Sequence, residues 1–375
     1  MRLFGRRAAE PARPALTRSV FGIAGGEWPR SYDAQVRDAY LANPIAQRAV
    51  RIVAECAASV PVYATGEDAA SRRGEALLRQ PALIETIAAQ LLLHGNAFVQ
   101  ILGDADGVPA ELFALRPERV TIEQDARGWP AAYLYRAGEA LTRLLPMDGA
   151  GRPMLVHLRA LNPTDDHYGV GSLGAAAGAV AVHNAAAKWN KALLDNAARP
   201  SGALVYDPGE SGGTLSAEQF DRLKVEMEAG FAGVGNAGRP MLLEGGLRWQ
   251  AMSLTPADMD FAGLKSGAAR EIALAFGVPP MLLGLPGDNT YANYSEANRA
   301  LWRLTIVPLL GKIVGGLAAA LHAWWPDLAF EPDLDAIPAL SSDRQALWTQ
   351  VAAADFLTVD EKRAMLGFGP SGGGA

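Results

Sequence analysis

One cysteine, Cys56, stands alone among 375 residues, so no disulfide can form within the chain, and a reducing intracellular setting is the simplest reading. Histidine is also scarce. His94, His157, His167, His183 and His322 are scattered, and none falls in an H-E-x-x-H or comparable ligand spacing, which argues against a catalytic zinc site. Positive charge is not in excess: 34 Lys and Arg face 40 Asp and Glu, a net charge of −6. Proteins that grip nucleic acid by their overall charge carry the opposite balance, so any DNA contact here must be local or loose. An uninterrupted apolar run is missing too. The stretch 306–325 is broken by Pro308, Lys312 and His322, short of the roughly 18 charge-free residues of a membrane helix, and no membrane span is expected. The basic start, Met1 to Arg7, leads into an Ala/Pro/Arg tract where an export signal would need an apolar core. What the chain has in quantity is hydrophobic residues, 50% of the total, enough for a substantial core divided over two or three domains.

Residues 1–30 mix Arg, Pro, Gly and Ala without periodicity and read as a flexible arm, with order beginning near Tyr40. Apolar residues then recur at helical spacing from Asn43 to Val60, and a second helix fits Pro81 to Leu93. Short apolar runs between turn signals predict a β meander ending near Leu158. A long helix with a small-residue face follows from Ser172 to Asn196, ended by Arg199-Pro200. The next block holds a strand at 203–206 and a helix opened by a Ser216/Gln219 capping box with Leu215 and Phe220 as staple. It closes on a hairpin between 241–243 and 247–252. Thr255 as cap, Pro256 and Asp258 open a helix with an apolar stripe of Phe261, Leu264, Ala268, Ile272 and Phe276, ended by Gly277 and Pro279-Pro280. It should be a rod of about 21 residues, roughly 31 Å long. A breaker-rich loop, 284–294, precedes a long helix restarting at Ser295 and kinked near Pro308. The last helix starts at Thr358 with Glu361 as capping partner and stops at Gly367, before a flexible Gly-rich tail.

Three motifs invite chemistry. Gly169-Val170-Gly171-Ser172-Leu173-Gly174 matches the dinucleotide-binding G-x-G-x-x-G string before a helix, which would suit a nucleotide-dependent oxidoreductase. The apolar strand that should lead into it is replaced by 162–168, and Asp195 falls on the helix, so a tight turn with a closely packed helix start is the better reading. His167 beside Asp165 and Asp166 could move protons, yet Asp and Pro there suit a polar surface turn. Tyr291 and Tyr294 could stack on bases, although packing is the commoner fate of loop tyrosines. No P-loop or G-x-S-x-G elbow occurs, and no enzyme activity, cofactor or metal is expected.

Several stretches taken in order resemble the portal family of long-tailed phages, also found in gene transfer agents. They are Leu92-Leu93-His94-Gly95-Asn96-Ala97-Phe98-Val99, the His157 to Ser172 segment, Pro200-Ser201-Gly202 and Gly238-Arg239-Pro240-Met241-Leu242-Leu243-Glu244-Gly245. Most telling is Ile272-Ala273-Leu274-Ala275-Phe276-Gly277-Val278-Pro279-Pro280, followed by Tyr291-Ala292-Asn293-Tyr294 and the helix holding Pro308. The resemblance implies an α+β portal fold assembled as a ring, usually a dodecamer. It comprises an arm (1–39), a β-containing wing (40–170), paired stem helices (171–199 and 255–277) and a small α/β clip (200–254). A tunnel-loop region (278–294), a long kinked helix with wing and crown (295–370) and a tail (371–375) complete it. Such a ring sits at the capsid vertex of a particle assembled in the bacterial cytoplasm. Double-stranded DNA passes through it without sequence specificity, during packaging and ejection. The implied partners are the major capsid protein, the terminase large subunit and the head–tail adaptor. The implied site residues are Gly287, Asp288, Asn289, Thr290, Tyr291 and Asn293 in the tunnel loop. Lys188, Lys191, Lys265 and Arg270 belong to the stem, and Glu218, Arg222, Glu244 and Arg248 to the clip. A ring of negatively charged copies repels duplex DNA on average, which suits a conduit through which DNA slides. A ring-forming scaffold without a DNA channel is the other alternative.

Overall fold

The computed structural model describes residues 31–66, 68–80, 82–195, 202–206, 216–231, 247–251, 260–286 and 291–367. In chain order these form α1 (Tyr32–Val36), α2 (Pro44–Ser59), β1 (Val62–Ala64), α3 (Ala69–Leu78), α4 (Leu83–Leu93), β2 (Asn96–Gly103), β3 (Pro109–Leu115), β4 (Val120–Gln124), β5 (Pro130–Ala137), β6 (Ala140–Leu144) and β7 (Leu155–Arg159). There follow α5 (Ser172–Asp195), β8 (Gly202–Tyr206), α6 (Ala217–Phe231), β9 (Leu247–Ala251), α7 (Phe261–Ala275), α8 (Tyr291–Leu301), α9 (Val307–Leu321), β10 (Phe330–Pro332), α10 (Ser341–Ala353) and α11 (Val359–Met365). The fold is a mixed α+β one, in two compact units: 1–177 with 273–375, and 178–272.

In the first unit the expected meander divides into two three-stranded antiparallel sheets. One has the order β3-β2-β7 and the other β4-β5-β6. β7 returns past the second sheet to pair with β2, with Phe98 opposite His157. Both sheets contribute to one core of Phe98, Leu115, Val120, Ile122, Tyr133 and Leu155. Tyr168 packs against this core, and its hydroxyl accepts the Ile122 N–H at 2.8 Å, occupying a backbone donor that β4 would otherwise leave unpaired.

Helices α2, α4 and α9 pack on one another, with α4 against β2 and β3 and α9 against β7. α2 matches its periodicity: Asn43, itself buried, accepts from the Ile45 and Ala46 N–H groups (both 3.0 Å) and Pro44 fills the first turn. α3 has no counterpart in the sequence reading, and Gly74 in its middle lets it lie close to Leu328 and Phe330. Helical structure is already present at Tyr32, ahead of the expected onset near Tyr40. Ser31 caps α1, and the Tyr32 ring meets the His94 ring edge-on at 4.7 Å, so this short helix has a tertiary anchor that composition cannot reveal. Residues 1–30 of the expected flexible arm, 1–39, lie outside the described residues, as does the tail beyond 367, while residues 32–39 of that arm are helical.

The expected kink near Pro308 takes the form of a π-helical turn, Trp302–Ile306, directly before α9. The Val307 N–H reaches back to the Trp302 carbonyl, which widens the turn where Pro308 has no N–H of its own to give. By length and composition the continuous helix Ala292–Leu321 is long and apolar enough to cross a membrane, contrary to the reading of 306–325. Its apolar face is nevertheless a core face: Ile306, Leu310, Ile313 and Leu317 are fully buried against protein. α11 has the expected capping box between Thr358 and Glu361 and ends at Gly367, which has φ of 83°.

The junction ahead of α5 is built on Asn96. Its Oδ1 accepts the Gly169 N–H at 2.7 Å and its amide donates to the Gly169 carbonyl at 3.0 Å, a two-point pairing that fixes which end of the amide is oxygen. The same amide donates to the His94 carbonyl and faces the His94 Nδ1 at 3.1 Å, while the His157 Nε2 lies 3.0 Å from Oδ1. His157 must therefore donate from Nε2 and His94 must accept at Nδ1, which makes the His94 ring neutral. Burial drives His94 down to about 4; it takes His157, with Arg159, His167 and His94 near by, down to about 3. His157 also stacks on Phe98 with ring centroids 4.2 Å apart. His94 and His157, far apart along the chain, thus meet on one asparagine, and His167 lies near His157. His167 is buried, not part of a polar surface turn: Asp165 holds the turn by accepting from the His167 and Tyr168 N–H groups and tips the ring inward.

Four variants test this packing. Ile313→Ala should cost roughly 2–5 kcal/mol, the usual range for a buried aliphatic truncation. Leu304→Ala, on the exposed side of the π turn, should stay within about 0.5 kcal/mol in the same denaturation series. Asn96→Leu, which strips partners from Gly169 and both histidines, should destabilise by on the order of 3 kcal/mol, read as a lowered thermal midpoint. Because folding depresses the histidine pKa values, their contribution is intact above about pH 6.5 and is lost as pH falls toward 4. His94→Gln should flatten the decline of the thermal midpoint across that window.

Candidate stem, clip and tunnel-loop region

Residues 178–272 contain two of the three expected site groups. α5 and α7 run side by side there. Trp189 stacks on Phe261 with centroids 5.8 Å apart, and the buried His183 lies close enough to Lys265 for the lysine charge, after burial, to hold the imidazole pKa down. Moving forward on α5 from His183 to Trp189 means moving backward on α7 from Lys265 to Phe261, so the pair is antiparallel. Small and branched residues are buried on both helices, Ala179, Val180 and Ala186 on α5 and Ala268, Ala269 and Ile272 on α7. Of the stem candidates, Lys188 and Lys191 are exposed on α5 and Arg270 is exposed on α7, whereas Lys265 is half-buried beside His183.

The expected stripe of α7 needs correction. Leu264 is half-exposed, while Ala268, Ile272 and Phe276 are buried together with Ala269 and Ala273. The described helix also starts at Phe261, after Asp260, whose φ of 40° is not helical; its carboxylate accepts the Gly263 N–H at 3.1 Å. A single rod running through from Pro256 is therefore interrupted at Asp260. Thr255, Pro256 and Asp258 lie outside the described residues.

In the clip candidate the Ser216/Gln219 capping box is present in both directions, Gln219 N–H to Ser216 Oγ at 3.2 Å and Ser216 N–H to Gln219 Oε1 at 2.9 Å. β9 pairs antiparallel with β8 in full register, Gly202 opposite Ala251 and Tyr206 opposite Leu247. This long-range pairing escapes a sequence reading that looks for the nearest hairpin partner, and residues 241–243, together with Leu215 and Glu244, lie outside the described residues. Glu218, Arg222 and Arg248 are exposed.

The tunnel-loop candidates divide. Gly287, Asp288, Asn289 and Thr290 lie outside the described residues, and Tyr291 and Asn293 belong to the first turn of α8 rather than to a loop. Ser295 is not the cap of a restarting helix. Its Oγ donates back to the Ala292 carbonyl at 2.9 Å, as a serine inside a helix does. The N-terminal flank is firmly held: Gly277 takes φ of 67° to end α7, and Thr305 Oγ1 donates to its carbonyl at 2.8 Å, tying that end to the π turn. A short 3-10 turn, Pro280–Leu283, then leads to Gly284 in the left-handed region.

The Gly169–Gly174 turn has no room for a pyrophosphate on its inner side. A Cβ placed on Gly169 would strike the Gly95 carbonyl, and one on Gly171 the Leu93 carbonyl, so these glycines serve backbone-to-backbone packing. Among the described residues no group of three or more His, Cys, Asp or Glu side chains could hold a metal ion.

The model of the phage portal protein family matches residues 44–367. An uncharacterized protein of Rickettsia bellii is 41% identical over 344 residues, covering 88% of each chain. The probable portal protein of Streptomyces phage phiC31 is 25% identical over 386 residues, covering 96% of this chain and 80% of its own. Among solved structures, a chain in the neck of a native gene transfer agent particle, computed with C12 symmetry, is 44% identical. It superimposes with a TM-score of 0.69, covering 94% of this chain and 96% of that one. With a match that runs through both units and through the α5–α7 pair, the chain belongs to the phage portal protein family.

Proposed function

We propose that this chain is one subunit of a closed ring at the vertex of a phage-like particle, through which double-stranded DNA is packaged and later ejected. The observation that carries the proposal is the near full-length likeness to a neck chain of a gene transfer agent particle whose symmetry is C12. Twelve copies is the ring size that this likeness favours, and a structural, non-enzymatic role follows from it. α5 and α7 are the stem, and the block between them, with its own capped helix and β8–β9 pair, is the clip on which the terminase large subunit and then the head–tail adaptor dock. The remaining unit is the wing, seated against the major capsid protein. The net charge of −6 per copy supports a conduit: a ring of such copies repels duplex DNA on average, so contacts stay loose and independent of base sequence. The energy of translocation comes from the terminase.

Residues 287–290, between the pinned end of α7 and the start of α8, are the segment that touches moving DNA. Asp288 repels phosphate, while Asn289 and Thr290 offer neutral hydrogen bonds. Deleting residues 288–290 should leave ring assembly intact, as seen in electron micrographs of particles, and reduce the nuclease-protected DNA per particle to a small fraction. Unchanged DNA content in the deletion particles would reduce this segment to a connector.

A further inference from the structure

α1 has little of its own to stand on. None of its residues is fully buried, and five residues are too few to hold a helix in water. The chain on its C-terminal side is firm: in the π-helical turn Arg37–Leu41, Ala39 is buried and its carbonyl accepts the Asn43 N–H at 2.9 Å, at the head of α2. On its N-terminal side Ser31 caps the helix, and residues 1–30 lead directly into it. Between the two, the Tyr32 ring meets the His94 ring edge-on at 4.7 Å. Burial first, then the Glu118 and Asp33 carboxylates, raise the Tyr32 phenol pKa, so the ring sits in a drier seat than the rest of α1.

His94 stands where such a contact has leverage. Its Nδ1 accepts the Asn96 amide at 3.1 Å, and Asn96 pairs at two points with Gly169. Gly95, the residue between, takes φ of 79°, and a Cβ there would strike the Val170 and Gly171 backbone. Residues 94–96 thus bear on 169–171 through both backbone and amide, and α5 starts at Ser172. The imidazole has two discrete settings, because half a turn about its Cβ–Cγ bond puts a carbon where Nδ1 was and removes the acceptor. The two amide hydrogens of Asn96 are shared among three acceptors, the His94 Nδ1, the His94 carbonyl and the Gly169 carbonyl, so losing the first loosens the pairing without abolishing it.

We propose that α1 is a strap that sets the firmness of the turn before α5. Docked, Tyr32 holds His94 in the setting in which Nδ1 accepts from Asn96. Released, it frees the ring to turn, and the Gly169 pairing slackens. The linkage runs both ways, so a slack Asn96 pairing also favours release of the strap. Whatever draws residues 1–30 away from the chain acts on this turn through Tyr32. The device is independent of whether the chain forms a ring.

Hydrogen exchange on the full chain, read amide by amide, tests it. The probes are the Gly169 N–H on Asn96, the Ala160 N–H on the Gly95 carbonyl, the Gln35 N–H on the Ser31 carbonyl, and Leu317 in the core of α9 as reference. Tyr32→Ala should speed exchange at Gln35, and at Gly169 and Ala160 by about 5-fold or more, the lower end of measured couplings, with Leu317 unchanged. Tyr32→Phe keeps the ring and should behave as the natural chain. His94→Phe keeps a ring for Tyr32 but lacks the acceptor, so it should speed Gly169 by itself, and adding Tyr32→Ala should then change Gly169 no further. An unchanged Gly169 rate in Tyr32→Ala would overturn the strap. So would an equal rise at Leu317, which reports general destabilisation, or a full additional rise at Gly169 when Tyr32→Ala is placed on His94→Phe.

Discussion

A buried amide has four hydrogen-bonding positions to satisfy, and the arrangement of the larger unit depends on how Asn96 satisfies its own. Paired at two points with the Gly169 backbone, it holds the segment before α5 against the first strand of the sheet. Only glycine fits on the other side of that contact, because Gly169 and Gly171 lie on the Gly95 and Leu93 carbonyls. The polar pairing sets direction, and the missing side chains set distance. An amide left half-paired in this dry setting costs more than an apolar residue in its place, so the network is worth having only when complete. That requirement keeps His94 uncharged and couples β7, the α4–β2 corner and the helix start into one cooperative knot.

The first turn of α5 is fixed to this knot, and within 178–272 the Trp189–Phe261 and His183–Lys265 neighbours keep α5 paired with α7. The glycine string that suggests nucleotide binding is thus a device for placing a helix.

Elements whose causes are local were legible in the sequence. The Ser216/Gln219 and Thr358/Glu361 boxes, the Gly277 stop and the Asn43-Pro44 helix start lie within a few residues of the structure they produce, and each is present. Causes that act at a distance were not. The return of β7 to β2, the pairing of β9 with β8, and the gathering of His94, His157 and His167 join residues tens of positions apart. α1 was missed because five residues hold no helix without the tertiary contact of Tyr32. The stripe of α7 was misphased at Leu264, since periodicity gives a face while neighbours decide which edge of it is covered. Of the candidate site, helix assignment of the stem candidates was readable; the start of α8 four residues before Ser295 was not, because Asn and Tyr are weak helix formers that here stand in a helix continuing into the core.

The π turn at Trp302–Ile306 works as a phase coupling between two parts of one shaft. One residue inserted into an α-helix rotates everything beyond it by about 100°. α9 is locked in rotation by its buried face, Leu310, Ile313 and Leu317, so that rotation falls on α8, whose buried Leu301 and Arg299–Ser342 hydrogen bond would have to be remade. The angle at which α8 presents Tyr291 and its neighbours can therefore be retuned by one insertion or deletion at this turn while the core keeps its register. Relatives that differ by a single residue here would aim the same helix at a different sector.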